Sequence, residues 1–226
     1  MGVFLNKFLW KLEQKIRPIA ITNLMFYIVA LNALVFVLSL FFGGAFLSRL
    51  YLIPYYVMQG EVWRLFTFIF TPPTNSLIFI IFALYFYYMI GSTLERQWGT
   101  AKFNLYYFIG FLGTIIGSFL TGAPATSTYL NLSLFLAFAH IFPDFQVLLF
   151  LMIPVKMKYL AYLNWFFFGF TIIFGSMGER ISALMALVNF FLFFYQDFIG
   201  GVKRRTRTGS TRQNFNQQVR EFRKRR

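Results

Sequence analysis

Residues 60–66 have the sequence GEVWRLF and place a glutamate, a tryptophan and an arginine between two long apolar stretches. Ionic side chains beside bilayer-spanning segments are costly, so they need a partner or a function. The ring of Trp63 and the long cationic side chain of Arg64 both suit the boundary between lipid and water. Glu61 is placed to pair with Arg64 in a folded loop. We interpret these three residues as a structural or anchoring loop motif rather than a substrate contact.

The composition around this motif is typical of a membrane protein. Of the 226 residues, 58% are hydrophobic and only 12% are charged, which is more apolar than ordinary soluble domains. Six stretches approach the ~20 residues that a helix needs to cross a bilayer. They cover residues 21–43, 76–94, 103–122, 125–142, 155–175 and 179–198. We therefore predict an all-α polytopic membrane protein with a six-helix transmembrane bundle.

Residue types that are scarce in the chain exclude several kinds of chemistry. There is no cysteine and a single histidine, His140, so disulfides, thiol catalysis and a metal site built from several His or Cys ligands are excluded. The sequence also lacks a phosphate loop and a nucleotide-binding fingerprint. We expect no metal and no cofactor.

The basic residues set the expected orientation. Six crossings put both termini on one side, and 18 of the 21 Lys and Arg residues then lie on that side. The positive-inside rule makes it cytoplasmic. We expect residues 1–18 to form an amphipathic helix on the cytoplasmic surface, residues 19–199 to form the membrane domain and residues 200–226 to form a basic cytoplasmic tail. The predicted location is the bacterial plasma membrane.

The basic tail has three interpretations. Residues 203–226 contain ten Lys or Arg residues against one acid, Glu221. We favour anionic lipid as the partner of this charge, besides the contact of the whole domain with the bilayer. Phosphates of RNA or of a ribosome are the alternative partner. In the third interpretation the charge only solvates the tail and enforces the topology.

Three motifs resemble the rhomboid superfamily and occur in the same order along the chain. The first is the Trp-Arg pair at residues 63–64, in the long first loop, which the derlin branch also has. The second is a Gly-x-x-x-Glu-x-x-x-Gly pattern at residues 91–99, and the third is a basic Ile-Pro segment at residues 153–160. The resemblance implies a six-helix rhomboid-like bundle. It also implies structural roles for three residues of the second motif: Gly91, Glu95 and Gly99.

The same resemblance shows where catalytic residues would lie. Active rhomboids use a serine in a Gly-x-Ser-Gly turn before the fourth helix and a histidine on the sixth, since a serine needs a positioned base. Thr128 falls at the serine position without either glycine, and Ala186 falls at the histidine position. His140 lies roughly 10 Å along its own helix from Ser133, too far for a dyad. We expect no catalytic residue and interpret the protein as a pseudoprotease.

The preferred function is therefore binding. We expect a catalytically inactive rhomboid-like protein, derlin-like in role, that binds transmembrane segments of client membrane proteins in quality control or chaperoning. One alternative is a divergent rhomboid-family intramembrane serine protease that acts through Ser127 or Thr128. A less favoured alternative is an aspartyl site of Asp144 and Asp197, which both fall at helix ends near lysines.

Small and polar residues within the predicted spans indicate how the helices pack. Three glycines recur on one helix: Gly110, Gly113 and Gly117. They allow close helix approach, within the chain by default and in an oligomer as the alternative. Three asparagines lie at membrane depth: Asn131, Asn164 and Asn189. We expect each to bond a neighbouring helix, and as an alternative the three together line a polar cavity.

Overall fold

The computed structural model describes residues 2–149 and 153–195, and this part of the chain is mainly helical. The helices are α1 (Gly2–Ile16), α2 (Leu24–Phe42), α3 (Gly44–Ser48), α4 (Pro54–Met58), α5 (Arg64–Thr67), α6 (Leu77–Trp98), α7 (Thr100–Thr121), α8 (Thr128–Ile141), α9 (Met157–Phe174) and α10 (Met177–Tyr195). Two 3₁₀ turns, Arg17–Ile19 and Phe68–Phe70, and two strands, β1 (Gln146–Leu149) and β2 (Ile153–Lys156), complete the described elements.

The predicted fold class, an all-α polytopic membrane protein, is confirmed. Among the described residues, five helices are long and apolar enough to cross a membrane: α2, α6, α7, α9 and α10. With the shorter α8 included, successive helices of the bundle from α2 to α10 run in opposite directions, so one end of the bundle holds α1 and the α6–α7 turn. We call it the α1 face. The other end, the loop face, holds residues 43–76 and the turns that precede α8 and α10.

The fourth predicted span, residues 125–142, is shorter than expected. α8 has 14 residues, about 21 Å of helix, against the ~30 Å of a hydrocarbon core. Nine of the 14 residues are buried, because α6, α7 and α9 all pack against α8. The apolar run that predicted a lipid-facing span is therefore the centre of the core. Its first residues are not helical, since the backbone of Ala125 pairs with that of Leu52.

A small hairpin lies on the α1 face. The apolar run of residues 145–154 is too short to cross a bilayer and is broken by Pro154, so the sequence predicts an interfacial segment that leads into the fifth span. In the structure, β1 and β2 instead pair there as antiparallel strands. Pro154 lacks an N–H group, which a two-stranded ribbon tolerates because each strand has an open edge. The carboxylate of Asp144 binds the Nζ atoms of Lys158 (3.1 Å) and Lys156 (3.5 Å). These bonds join the hairpin to the start of α9.

The N-terminal helix lies against the bundle. α1 ends at Ile16, and Pro18 lies in the 3₁₀ turn that follows. Leu12 and Ile16 are partly buried while Lys11 and Lys15 are exposed, and α1 packs on α7. The predicted basic tail, residues 200–226, and Asp197 of the aspartyl alternative lie outside the described residues.

Candidate functional site

The loop motif forms a closed polar network. Arg64 is only 3% exposed, and its Nε atom donates to Oε2 of Glu61 at 2.5 Å. Its Nη1 atom donates to the carbonyl oxygens of Ser48 (2.7 Å) and Tyr51 (3.0 Å), and the guanidinium lies 4.9 Å from the ring centroid of Tyr56. One side chain therefore joins three short loop helices. The hydrogen bonds of this arginine described above are all to residues of the loop, which supports a structural role.

The neighbours of Arg64 point outward. Trp63 is 49% exposed, and Val62, Phe66 and Met58 are exposed as well. Exposed aromatic and aliphatic side chains on a loop at the end of a transmembrane bundle suit the lipid interface. The buried cation and the exposed ring thus have different surroundings although they are adjacent in the sequence.

The loop is attached to the segment that precedes α8. Leu52 and Ala125 exchange two backbone hydrogen bonds, of 3.2 Å and 2.9 Å. Both residues belong to a buried cluster with Phe68 and Phe111. The loop therefore covers the part of the chain that carries the position of the rhomboid serine.

That position does not form a catalytic pair. Thr128 is exposed, and its hydroxyl lies 2.9 Å from the hydroxyl of Thr126. Ala186 is buried on α10 and has no group that accepts a proton. His140 is twelve residues from Thr128 on the same helix, about 18 Å along the axis. Within residues 2–149 and 153–195, no three His, Cys, Asp or Glu side chains group in a way that could hold a metal ion.

The pattern at residues 91–99 holds the chain that enters α2. A Cβ atom on Gly91 would overlap the side chain of Met25, which is buried at 1% exposure. Oε1 of Glu95 accepts a hydrogen bond from the backbone N–H of Asn23 at 2.9 Å. Gly99 has φ +84°, a conformation that favours glycine, at the turn between α6 and α7. Gly91 and Glu95 contact the segment that enters α2, and Gly99 shapes the turn beside them; we call this arrangement the dock of α2.

Sequence reasoning missed a fourth member of this dock. The side chain of Asn104 accepts from the N–H of Ile21 (2.9 Å) and donates to the carbonyl oxygen of Ile21 (3.0 Å). Its carboxamide thus pairs with backbone in the manner of a neighbouring strand. The only feature in the sequence that marks this residue is its position, one turn into an apolar helix. That position does not identify its hydrogen-bond partner.

The glycine row of α7 faces helices of the same chain. A Cβ atom on Gly110 would overlap Leu130 of α8 and lie 2.8 Å from Nδ2 of Asn189. A Cβ atom on Gly117 would lie 3.4 Å from Ile181 and Met185 of α10. Gly113 also faces Met185. The small residues therefore let α8 and α10 approach α7 closely.

An open cavity of about 430 Å³ lies on the side of the bundle between α6 and α9, with α8 as its floor. We call it the lateral groove. Its lining residues are Phe82, Phe86, Tyr87, Thr128, Asn131, Leu132, Phe135, Leu160, Leu163, Asn164 and Phe167. The volume falls in the range of ligand sites, and the walls are aromatic and aliphatic. It lies between the middle parts of α6 and α9, two helices that are long and apolar enough to cross a membrane.

The floor of the groove contains two buried carboxamides. Asn164 is 5% exposed, and its Nδ2 atom donates to the carbonyl oxygen of Leu132 on α8 at 3.1 Å. Asn131 is 8% exposed, and its Nδ2 atom lies 3.3 Å from Oγ of Ser127. The Oδ1 atoms of both accept no hydrogen bond from the protein. A buried polar atom without a partner costs about 1–3 kcal/mol.

The third asparagine lies elsewhere. Asn189 of α10 donates to the carbonyl oxygen of Tyr106 at 3.3 Å and does not line the groove. Two of the three asparagines therefore share one cavity, and two of them, Asn164 and Asn189, bond a neighbouring helix. The sequence alternatives were each right in part.

The comparisons with known proteins cover the first half of the membrane domain. A family described as "Eukaryotic integral membrane protein (DUF1751)" matches residues 21–126. The chain is similar to a family of eukaryotic membrane proteins. The matched region contains the loop motif, the 91–99 pattern and the glycine row, and it ends just before α8. Neither the curated proteins nor the solved structures gave a significant match.

This similarity corrects the predicted location. A bacterial plasma membrane is wrong, because the matching family is eukaryotic, while the assignment to a membrane stands. The error has a physical origin. An excess of Lys and Arg on one side of the bilayer orients helices in bacterial and eukaryotic membranes alike. The distribution of Lys and Arg therefore predicts the orientation of the helices but not which membrane they cross.

Proposed function

We propose that the protein is a non-proteolytic, rhomboid-like membrane protein, derlin-like in role, that binds transmembrane segments of other membrane proteins. The lateral groove is the observation that carries this proposal. Its walls are apolar, and if α6 and α9 cross the bilayer, as we propose, it lies at the depth of the lipid tails. A helix of another protein can lay its side chains there without leaving the bilayer.

The size of the groove favours side chains over a whole helix. A volume of about 430 Å³ holds a few large side chains, and α6 and α9 form a wall on either side. Several wall residues are exposed in the isolated chain, among them Leu163 at 64% and Phe167 at 45%. Small, packed contacts rather than a hydrophobic driving force hold helices together in lipid. A docked helix would gain such contacts along both walls.

The absence of a catalytic pair supports binding over cleavage. Thr128 lies at the rim of the groove, and its hydroxyl is engaged by Thr126 rather than by a base. Ala186 occupies the position that corresponds to the rhomboid histidine, and its side chain is a buried methyl group. A segment that reached the groove would thus meet no activated nucleophile.

Site-specific photocrosslinking in native membranes tests the binding function. A photoreactive residue at position 163 reports the groove, and one at position 120 is the matched control, because Leu120 is also an exposed leucine (70%) of a long helix but lies outside the groove. We expect single-span membrane proteins to be captured at position 163 and not at position 120. Equal capture at both positions, or capture of lipid alone, would overturn the proposal.

The non-proteolytic part has its own test. We expect no labelling by a fluorophosphonate, because such probes need an activated hydroxyl. Labelling that disappears in Thr128→Ala or Ser127→Ala would instead identify a divergent serine protease.

For the basic tail we keep the proposal of anionic lipid as partner. Each Lys or Arg near a negatively charged surface contributes about 1 kcal/mol. Cosedimentation tests this proposal. The full chain is reconstituted in neutral nanodiscs and mixed with vesicles that contain either 30% or 0% phosphatidylserine, which is roughly the range in which surface charge matters. Binding that ignores the lipid charge would refute this partner, and binding of RNA in preference to vesicles would favour the alternative.

A further inference from the structure

The floor of the lateral groove contains a buried hydrogen-bond acceptor without a partner in the protein. The amide orientation of Asn164 is fixed by its neighbour, because the carbonyl oxygen of Leu132 can only accept and so must face Nδ2. Oδ1 of Asn164 is therefore this acceptor. Oδ1 of Asn131 also accepts no hydrogen bond, but the hydroxyl of Tyr87 interacts with this carboxamide, so Asn164 carries the inference.

These two side chains come from different helices and line the same cavity. Asn131 lies one turn into α8, and Asn164 lies about 10 Å into α9, roughly a third of the way along that helix. Both are more than nine-tenths buried among aromatic and aliphatic side chains. A polar atom in such surroundings favours any partner that completes its hydrogen bonds.

We infer that the lateral groove selects transmembrane segments that carry a hydrogen-bond donor side chain, such as Thr, Ser, Asn or Gln, at the depth of Asn131 and Asn164. This inference rests on the proposed function and names its ligand class. The backbone N–H groups of a helical segment already bond within the helix, so only a side chain can donate. An acyl chain of a lipid has no donor and leaves both oxygens unpaired.

Two model peptides that differ in one hydroxyl test this inference. Each is a Leu/Ala transmembrane helix with lysine ends, and its central residue is Thr in one peptide and the equally sized Val in the other. The full-length protein is reconstituted in phosphatidylcholine nanodiscs, and peptide binding is measured by fluorescence transfer. Interhelical hydrogen bonds in membranes contribute about 0.6–2 kcal/mol, so we expect the Thr peptide to bind roughly 3- to 30-fold more tightly.

Matched variants locate the selection. Asn164→Leu and Asn131→Leu should reduce the preference for Thr and keep the binding of the Val peptide, which also reports that the groove is folded. Asn189→Leu is the control, because this buried asparagine has an Oδ1 atom without a partner but lies outside the groove. It should keep the preference.

The possible outcomes distinguish a failure of donor selection from a failure of client binding. Equal binding of the two peptides, or a preference that survives in both groove variants, overturns the donor selection and leaves client binding in place. Binding of neither peptide counts against client binding itself.

Discussion

The loop between α2 and α6 (residues 43–76) and the lateral groove both bury polar side chains, but these side chains differ in how many hydrogen-bond partners they have. In the loop, Arg64 bonds a carboxylate, two carbonyl oxygens and an aromatic face. In the groove, Asn164 uses its amide N–H group and leaves its oxygen without a partner. A completed network holds a fold together, whereas an incomplete one costs stability until a ligand completes it. An oxygen without a partner and a position in an open cavity together make Asn164 a candidate binding residue, whereas Arg64 has neither feature.

The largest effect should come from breaking the loop network. Arg64→Leu leaves Glu61 and the carbonyl oxygens of Ser48 and Tyr51 without their partner, so we expect a loss of about 3 kcal/mol of unfolding free energy. Thermal unfolding in detergent micelles measures it. Arg49→Leu is the control, because Arg49 is an exposed arginine of the same loop. Equal effects of the two substitutions would show that the network contributes little.

Overpacking the dock of α2 should have the next largest effect. Gly91→Ala places a methyl group against the buried side chain of Met25, for which we expect a loss of about 2 kcal/mol. Gly169→Ala in α9 has nothing within 4 Å of the added atom and should change stability by less than about 0.5 kcal/mol. Chemical unfolding compares the two. A Gly91→Ala protein as stable as Gly169→Ala would contradict the close approach of α2 and α6.

The groove should respond less strongly than the loop. Asn131→Leu removes a buried oxygen without a partner, but it also removes the 3.3 Å hydrogen bond to Ser127 and the interaction with Tyr87. The gain and the loss oppose each other, so we expect a change of less than about 1 kcal/mol in either direction. The same thermal unfolding assay applies. A loss comparable to that of Arg64→Leu would mean that the groove asparagine is structural too.

The smallest effect concerns the hairpin and depends on pH. Hydrogen bonding from Lys158, with the charges of Lys158 and Lys156, lowers the pKa of the exposed carboxyl of Asp144. The ionised form is thus favoured by folding, and its contribution is present at neutral pH and lost as the pH falls below about 4. We expect Asp144→Asn to lower the unfolding temperature slightly at pH 7 and by less at pH 3. A deficit of the same size at both pH values would assign it to packing instead.

Much of the fold could be predicted from the sequence because the bilayer demands long apolar helices. The ends of α6 and α7 fall near their predicted positions, since Gly99 marks the turn between them. The length of α8 could not be predicted, because a helix surrounded by other helices and a helix facing lipid are equally apolar. The hairpin after α8 was missed for a related reason: apolar residues alone do not distinguish a short strand from an interfacial segment.

The sequence predicted individual polar residues of the candidate site but not which of them share a cavity. Asn131, Asn164 and Asn189 are equivalent in the sequence, and only the packing of α6, α8 and α9 brings the first two into one cavity. The apolar walls of the groove could not be predicted from the sequence, because residues such as Phe82 and Leu163 are ordinary on any transmembrane helix. The role of Asn104 was likewise hidden, because its partner is backbone 83 residues away.

The bridge between Leu52 and Ala125 fixes the loop of residues 43–76 to the segment that leads into α8. Three residues after Ala125, Thr128 lies at the rim of the lateral groove. The rim is therefore anchored on the same loop that Arg64 holds together, so the loop motif supports one edge of the groove although it lies outside it.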